Sequence, residues 1–397
     1  IDAYLKLLDR SGDALSAFGM GRGMSTWMRW AMKPWLAWQR RGAFGRKTWD
    51  VLRDLTDNED LIAVLCGQWG DMGVPPKRSP FMAHAMIARH YLYGGYYPVG
   101  GSWRIAKTVI PKIQAGGGEV FTYARVERII VENGRVAGVE MKDGHRIDCD
   151  CVISSAGVNN TFNHLFPDDV AEVITYRQQM ANVQPSMAHL GVYVGLQGTA
   201  EELELPRTNF WIYPGNDYDG ALERFLEDPD APFPVVYISF PSAKDPDYEN
   251  RHPGTATIEI VAPAPYERFA KWRDETWGKR GEDCEALKEE LGNRLLAYVY
   301  DKLPHLRGKI DYYEVSTPLS TNWFGGYQRG ELYGLEHTQE RLEQTWLRPK
   351  TTIDGLWLTG QDILTCGVTG AMMSGLITTM SMVGPRRMGP LLKRIYG

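Results

Sequence analysis

Residues 355–376 read GLWLTGQDILTCGVTGAMMSGL, and no other stretch limits the fold so strongly. Leu356, Trp357 and Leu358 have the character of a short buried strand. A glycine turn follows, and an apolar helix starts at about Thr369. In α/β folds this arrangement seats a ligand at the carboxyl end of a strand. Gly360 lets the backbone pass close to such a ligand. Asp362 is a poor partner for a phosphate but a good acceptor for a sugar or ribityl hydroxyl. The small residues Gly367, Gly370 and Ala371 leave the first helical amides open to a ring carbonyl. A helix N-terminus also stabilises negative charge developing on a bound ring.

Around this stretch the chain alternates helical and strand patterns. Residues 1–18 and 81–91 carry helical spacing, and residues 50–64 read as one helix with a polar face. Gly100, Gly101 and Ser102 precede helical spacing at Ile105, Val109, Ile110 and Ile113. Amides at such a turn suit an anion or the edge of a flat ring; an ordinary tight turn capped by Ser102 is the other reading. Strand alternation follows at 120–123, 126–131 and 136–141, with hairpin signals at Asn133-Gly134 and Asp143-Gly144. CVISSAG, residues 151–157, reads as a buried strand entering a turn of small residues. The expectation is a β-meander inserted into a dinucleotide-binding α/β domain. Beyond residue 162 the composition changes. Strands in MAHLGVYVGL, NFWIYP, PVVYISFP and TATIEIVAPAP, with a charged-faced helix over 266–304, predict a mixed sheet backed by helices on one side. Such an α+β unit commonly walls a ligand pocket.

Residues 19–49 hold Trp27, Trp30, Trp35, Trp38 and Trp49 with Met20, Met24, Met28 and Met32, and from 22 to 47 there are basic residues but no acidic ones. Pro34 interrupts the helical pattern. This mixture suits a lipid headgroup boundary, the lining of an apolar tunnel, or a helical cap packed on the fold. Gly19, Gly21 and Gly23 are not a dinucleotide fingerprint: a polar helical segment precedes them, and Ala43 stands in a basic region where an acidic residue belongs.

The remaining composition works by exclusion. A net charge of -5 argues against a general nucleic-acid binder. Cys66, Cys149, Cys151, Cys284 and Cys366 have no zinc spacing and read as reduced thiols; the histidines form no ligand set, so no metal is expected. A serine nucleophile elbow is missing from the sequence. No run of 18 apolar residues occurs, and the chain opens at Ile1 without an initiator methionine or a signal peptide. A processed form or a fragment is therefore expected, at a peripheral membrane or cytoplasmic location. What remains is redox chemistry on a bound organic cofactor.

YLYGGYYPVGGS, VISSAG, FPSAKDP, STPLSTNWF, RGELYGLEH and LWLTGQDILTCGVTGAMMSGL, in that order, resemble the all-trans-retinol 13,14-reductases (retinol saturases) and, more distantly, the carotenoid desaturases and isomerases. The resemblance runs from about residue 50 to about 384. It implies a two-domain FAD/NAD(P)-binding flavoprotein fold, α/β with an α+β second domain. Residues 1–49 would be a helical lid or membrane-facing segment, and 50–160 with 331–384 the remaining parts of the FAD-binding domain with some substrate-domain elements. Residues 161–330 would bind substrate, and 385–397 form a basic tail. It also implies FAD as cofactor. Gly360 and Asp362 would meet the pyrophosphate and ribityl region, and Thr369, Gly370 and Ala371 the isoalloxazine. Val126 would lie at the adenine, Ser155, Ala156 and Gly157 beside the nucleotide, and Gly100 and Gly101 close to flavin and substrate. The family's N-terminal strand, GxGxxG turn and helix do not occur in these 397 residues.

The implied activity is saturation of one C=C bond of a retinoid or similar apolar polyene, with NAD(P)H or a redox protein as electron donor. Desaturation or isomerisation of a carotenoid is the alternative, and a non-catalytic lipid-binding or interaction module is the rival from another class. The Trp-rich basic segment and the basic tail point to a membrane surface as partner.

Overall fold

The computed structural model describes residues 1–24, 26–35 and 42–384, together with 387, 389, 390 and 393. Trp38 and most of the basic tail at 385–397 lie outside the described residues. Ten strands occur among those described: β1 (Val126–Glu132), β2 (Arg135–Met141), β3 (Arg146–Asp148), β4 (Val152–Ser154), β5 (Ala188–Gln197), β6 (Phe210–Ile212), β7 (Val236–Ser239), β8 (Thr255–Ala264), β9 (Ile310–Ser316) and β10 (Leu356–Leu358). The chain divides into two compact units. Unit 1 is Ile1–Leu92, Ala124–Ser186 and Tyr333–Gly397; unit 2 is Tyr93–Tyr123 and Met187–Leu332. This division puts residues 93–123 with the central segment and 161–186 with the outer ones, where sequence composition draws the boundaries otherwise.

In unit 1 the two turn signals form as their chemistry dictates. Asn133 and Gly134 both take positive φ (52° and 75°), the conformation of a tight hairpin, and β1 pairs antiparallel with β2. Gly144 (φ 85°) turns β2 into β3. Residues 120–123 are not a strand: Phe121 is exposed, and Tyr123 takes φ 57°. β4 and β10 pair in parallel, Val152 to Leu356 and Ser154 to Leu358, although about 200 residues separate them. Leu356 and Leu358 pack with Ile129, Val136, Val158 and Phe162 in one apolar core.

The helix Asp2–Gly23 is part of this unit rather than a separate lid. It buries Tyr4, Leu8, Ala14 and Ala17, and Tyr4 Oη lies 3.0 Å from His84 Nε2 on the helix Phe81–Tyr91. Gly19 and Gly23 face Ile377, and Ser381 Oγ donates to the Gly23 carbonyl at 3.0 Å. All three glycines are thus helical, and Gly19 and Gly23 serve a close approach to the C-terminal helix Gly367–Val383. The span 50–64 holds two helices, Thr48–Arg53 and Glu59–Cys66; Asn58 starts the second by accepting the Leu61 amide on its side chain.

Unit 2 is built on a five-stranded sheet ordered β6-β7-β8-β5-β9. Every neighbouring pair is antiparallel, so the sheet is not mixed. β9 (IDYYEVS), with Asp311, Tyr312 and Glu314 exposed and Val315 buried, has no regular alternation and carries too weak a pattern to be found from sequence. One sheet face packs on the helix Glu282–Lys302 through Leu291, Leu295, Leu296 and Val299. Gly292 lets that helix approach β9, since a Cβ there would lie 2.8 Å from Val315. The helix does not extend back to 266: two 3₁₀ turns and the positive-φ glycines Gly278 and Gly281 precede it.

Candidate functional site

The parallel strands of unit 1 end side by side, and their carboxyl-terminal loops form the site. After Ser154 come Ser155 and Ala156, both exposed, and then Gly157 at φ 86° and ψ 151°, a backbone region essentially closed to other residues. After Leu358, the Thr359 amide donates to the Ser154 carbonyl at 2.9 Å, and Gly360 takes φ 92°. Ligands of α/β sheets bind at this edge.

Asp362 ties these loops together. It is 4% exposed, its Oδ2 accepts the Val158 amide at 2.8 Å, and its Oδ1 accepts the Leu335 amide at 2.9 Å. Gly334 (φ 63°) lies against Oδ1 so closely that a Cβ would overlap it. Buried Arg341 donates to the carbonyls of Leu335 and Gln361, each at 2.6 Å. Burial lowers the Arg341 pKa while the Asp362 charge opposes that, and a guanidinium stays protonated regardless. His337 Nε2 accepts the Cys366 amide at 3.0 Å and lies 3.3 Å from Thr365 Oγ1. Burial, and then the Arg341 charge, push the His337 pKa well below its ordinary value, which keeps the ring neutral with Nε2 free to accept. Burial raises the Cys366 thiol, whose Sγ lies 3.5 Å from the Asp71 carbonyl.

This geometry changes the sequence picture of Asp362. Rather than an open acceptor for a ribityl hydroxyl, it is a buried carboxylate already holding two amides from distant segments. Gly370 also has a packing reason to be glycine: a Cβ there would overlap the Thr365 carbonyl. Gly367, Val368 and Thr369 are exposed, Ala371 is half-buried, and the N-cap residue Cys366 makes no side-chain cap hydrogen bond. Its N-terminal turn is thus open and apolar, which fits the edge of a flat ring. Ser155, Ala156, Gly157, Gly360, Asp362, Thr369, Gly370 and Ala371 all lie in these joined loops of unit 1. Val126 opens β1, opposite Met141, in the antiparallel sheet of the same unit.

Gly100 and Gly101 belong to unit 2. Their φ values are 91° and 89°, but their amides are not open to a ligand. The Gly100 amide donates to Asp245 Oδ1 at 2.9 Å, and that of Gly101 to the Pro98 carbonyl at 2.9 Å. Asp245 also accepts the Asp247 amide at 3.0 Å and pairs with Arg251. Burial raises the Asp245 pKa, the two amides and Arg251 outweigh it, and the carboxyl stays below its ordinary value. The residues sequence reasoning missed are Gly334, His337, Arg341 and Asp245. Only their place inside RGELYGLEH, its continuation, and FPSAKDP signalled them.

Among the described residues no group of His, Cys, Asp and Glu could hold a metal ion, and no helix is long and apolar enough to cross a membrane.

No family model matches the chain. Human all-trans-retinol 13,14-reductase is 37% identical over 345 residues, 84% of this chain and 57% of that protein. A Danio rerio protein described as an inactive all-trans-retinol 13,14-reductase is 31% identical over 347 residues, 85% of this chain and 57% of its own length. The chain therefore spans a little over half the length of these curated relatives. A solved structure of putrescine oxidase superposes with a TM-score of 0.56 at 14% identity, covering 96% of this chain and 76% of that one. That likeness shows the fold alone. By sequence, the chain is similar to the all-trans-retinol 13,14-reductases over most of its own length.

Proposed function

We propose that the chain is part of an FAD-dependent oxidoreductase that saturates one C=C bond of a retinoid or similar apolar polyene. The observation that carries this reading is that Asp362, the buried carboxylate of LWLTGQD, holds the amides of Leu335 in RGELYGLEH and of Val158, the residue that follows VISSAG, next to an open helix N-terminus. In this reading Ser155, Ala156, Gly157 and Gly360 give the backbone room for the ribityl and pyrophosphate region. Val126 lies at the adenine end, and the turn at Thr369, Gly370 and Ala371 meets the ring. When bound, a reduced flavin supplies a hydride equivalent. The chain's own part is to set these loops in register and turn helix-N-terminal amides toward developing negative charge. Gly100 and Gly101 lie in unit 2, where Asp245 holds their turn. The electron donor, NAD(P)H or a redox protein, and a membrane surface as the source of substrate belong to the same proposal.

The test is retention of FAD and conversion of all-trans-retinol. Added FAD should stay with the chain through gel filtration, and Gly157→Val should release it while leaving far-UV circular dichroism unchanged. Product masses separate the chemistries: a gain of two hydrogens supports saturation, whereas a loss of two or no change would replace it by desaturation or isomerisation. A second reading, a non-catalytic lipid-binding module, is favoured by the 31% identity to a relative described as inactive. A chain that takes up no FAD yet binds polyene would establish it.

A further inference from the structure

From residue 22 to residue 47 the chain carries basic residues and no acidic ones, and two of its arginines reach main-chain carbonyls of one distant segment. Arg22, buried in the last turn of the helix Asp2–Gly23, donates through Nη1 to the carbonyls of Gln344 and Leu347. Its Nη2 lies 3.4 Å from the Leu342 carbonyl and 3.5 Å from that of Arg341. Arg29, on the next helix Thr26–Ala31, donates to the Thr345 carbonyl at 3.2 Å.

These carbonyls need donors. The short helix Gln339–Glu343 ends among them, and the last carbonyls of a helix have no partner within it. Leu347 is 0% exposed, so its carbonyl is out of reach of water. A planar guanidinium spans two carbonyls at once with its fork of donors, and the C-terminal end of a helix favours its positive charge.

The segment that Arg22 grips also carries the groups that hold the site. Arg341 donates to the carbonyls of Leu335 and Gln361, His337 accepts the Cys366 amide, and the Leu335 amide is held by Asp362. The helix Asp2–Gly23 meets the following part of the site as well: a Cβ on Gly19 would lie 3.3 Å from Ile377 and 3.7 Å from Leu364. Docking of this helix does not by itself call for a buried guanidinium, since Tyr4, Leu8, Ala14 and Ala17 already bury its apolar face.

We infer that Arg22 is a positioning residue of the candidate cofactor site: by fixing the backbone of 341–347 it sets where Arg341 and His337 hold the loop from Gln361 to Cys366. It acts through those two residues. The basic character of this stretch then serves the site from within the fold. The inference rests on the FAD reading for the ligand alone; the hold on the loops stands on the hydrogen bonds.

The experiment follows hydrogen exchange in the full chain at the Leu335 and Cys366 amides and along Phe81–Tyr91, with FAD affinity from flavin fluorescence, for wild type, Arg22→Ala and Arg22→Lys. Arg22→Ala should lower protection at Leu335 and Cys366 by at least about tenfold, weaken FAD by about tenfold, and leave Phe81–Tyr91 unchanged. Guanidinium chloride at about 20 mM, far below the molar range that unfolds proteins, should restore protection in Arg22→Ala where sodium chloride does not. If the alanine variant does not fold, Arg22→Lys takes its place: keeping the charge but not the fork, it should lose at least about threefold at the same amides, and no loss overturns the inference. A fall in Arg22→Ala of less than about tenfold at either amide, or no rescue by guanidinium, overturns it too. So does an equal fall along Phe81–Tyr91, which would make Arg22 a fastener of the N-terminal helix only. If the wild type takes up no FAD while the exchange pattern and its rescue hold, the cofactor reading falls and Arg22 still positions the loops.

Discussion

Replacing Asp362 by alanine tests the construction of the site most directly. The carboxylate accepts two buried amides, Val158 at 2.8 Å and Leu335 at 2.9 Å, and its charge faces the buried Arg341. A hydrogen bond to a charged group contributes about 1.5–3 kcal/mol, and removing the acceptor leaves each donor unsatisfied. Two such losses amount to roughly 3–6 kcal/mol, before the guanidinium loses its counter-charge. Because the chain has two compact units, one global unfolding energy is the wrong measure. Native-state hydrogen exchange at single amides reports the local opening instead. At 1.4 kcal/mol per factor of ten, the protection of the Val158 and Leu335 amides should fall by about a hundredfold to ten-thousandfold in Asp362→Ala, while amides of β5 and β8 stay unchanged. A fall of less than about tenfold at both amides would refute the idea that this carboxylate holds the loops.

Gly370→Ala separates packing from cofactor contact. The added Cβ overlaps the Thr365 carbonyl, so this variant should lose about 2 kcal/mol or more of local stability with no FAD present, read by exchange along 365–376. His84 sets part of the acid limit. Burial lowers its pKa to about 4 from an ordinary 6.5, so its stabilising contribution is complete above pH 6.5 and is lost as pH falls toward 4. The loss runs at about 1.4 kcal/mol per pH unit. Between pH 7.5 and pH 5, His84→Gln should therefore lose about 2 kcal/mol less than wild type, and equal losses would remove His84 from the account. Flotation with anionic liposomes checks the membrane surface; a chain that stays at the bottom of the gradient at low salt has no such affinity.

Much of the local structure was legible because it depends on neighbours in sequence. The Asn133-Gly134 and Asp143-Gly144 turns, the alternation in β5 and β8, and the strand, turn and helix at 355–376 follow from dihedral preferences and apolar spacing within a few residues. β9 and the break before Glu282 escaped because edge exposure and two glycines weaken those same signals. The resemblance carried by ordered motifs named the family, but it listed those motifs side by side without saying what joins them. Tertiary structure alone decided that. Asp362 meets Val158, 204 positions away, and Gly100 meets Asp245, 145 positions away. Such pairings have no local signature, since a buried carboxylate takes whichever amides the folded chain brings to it and excludes water from.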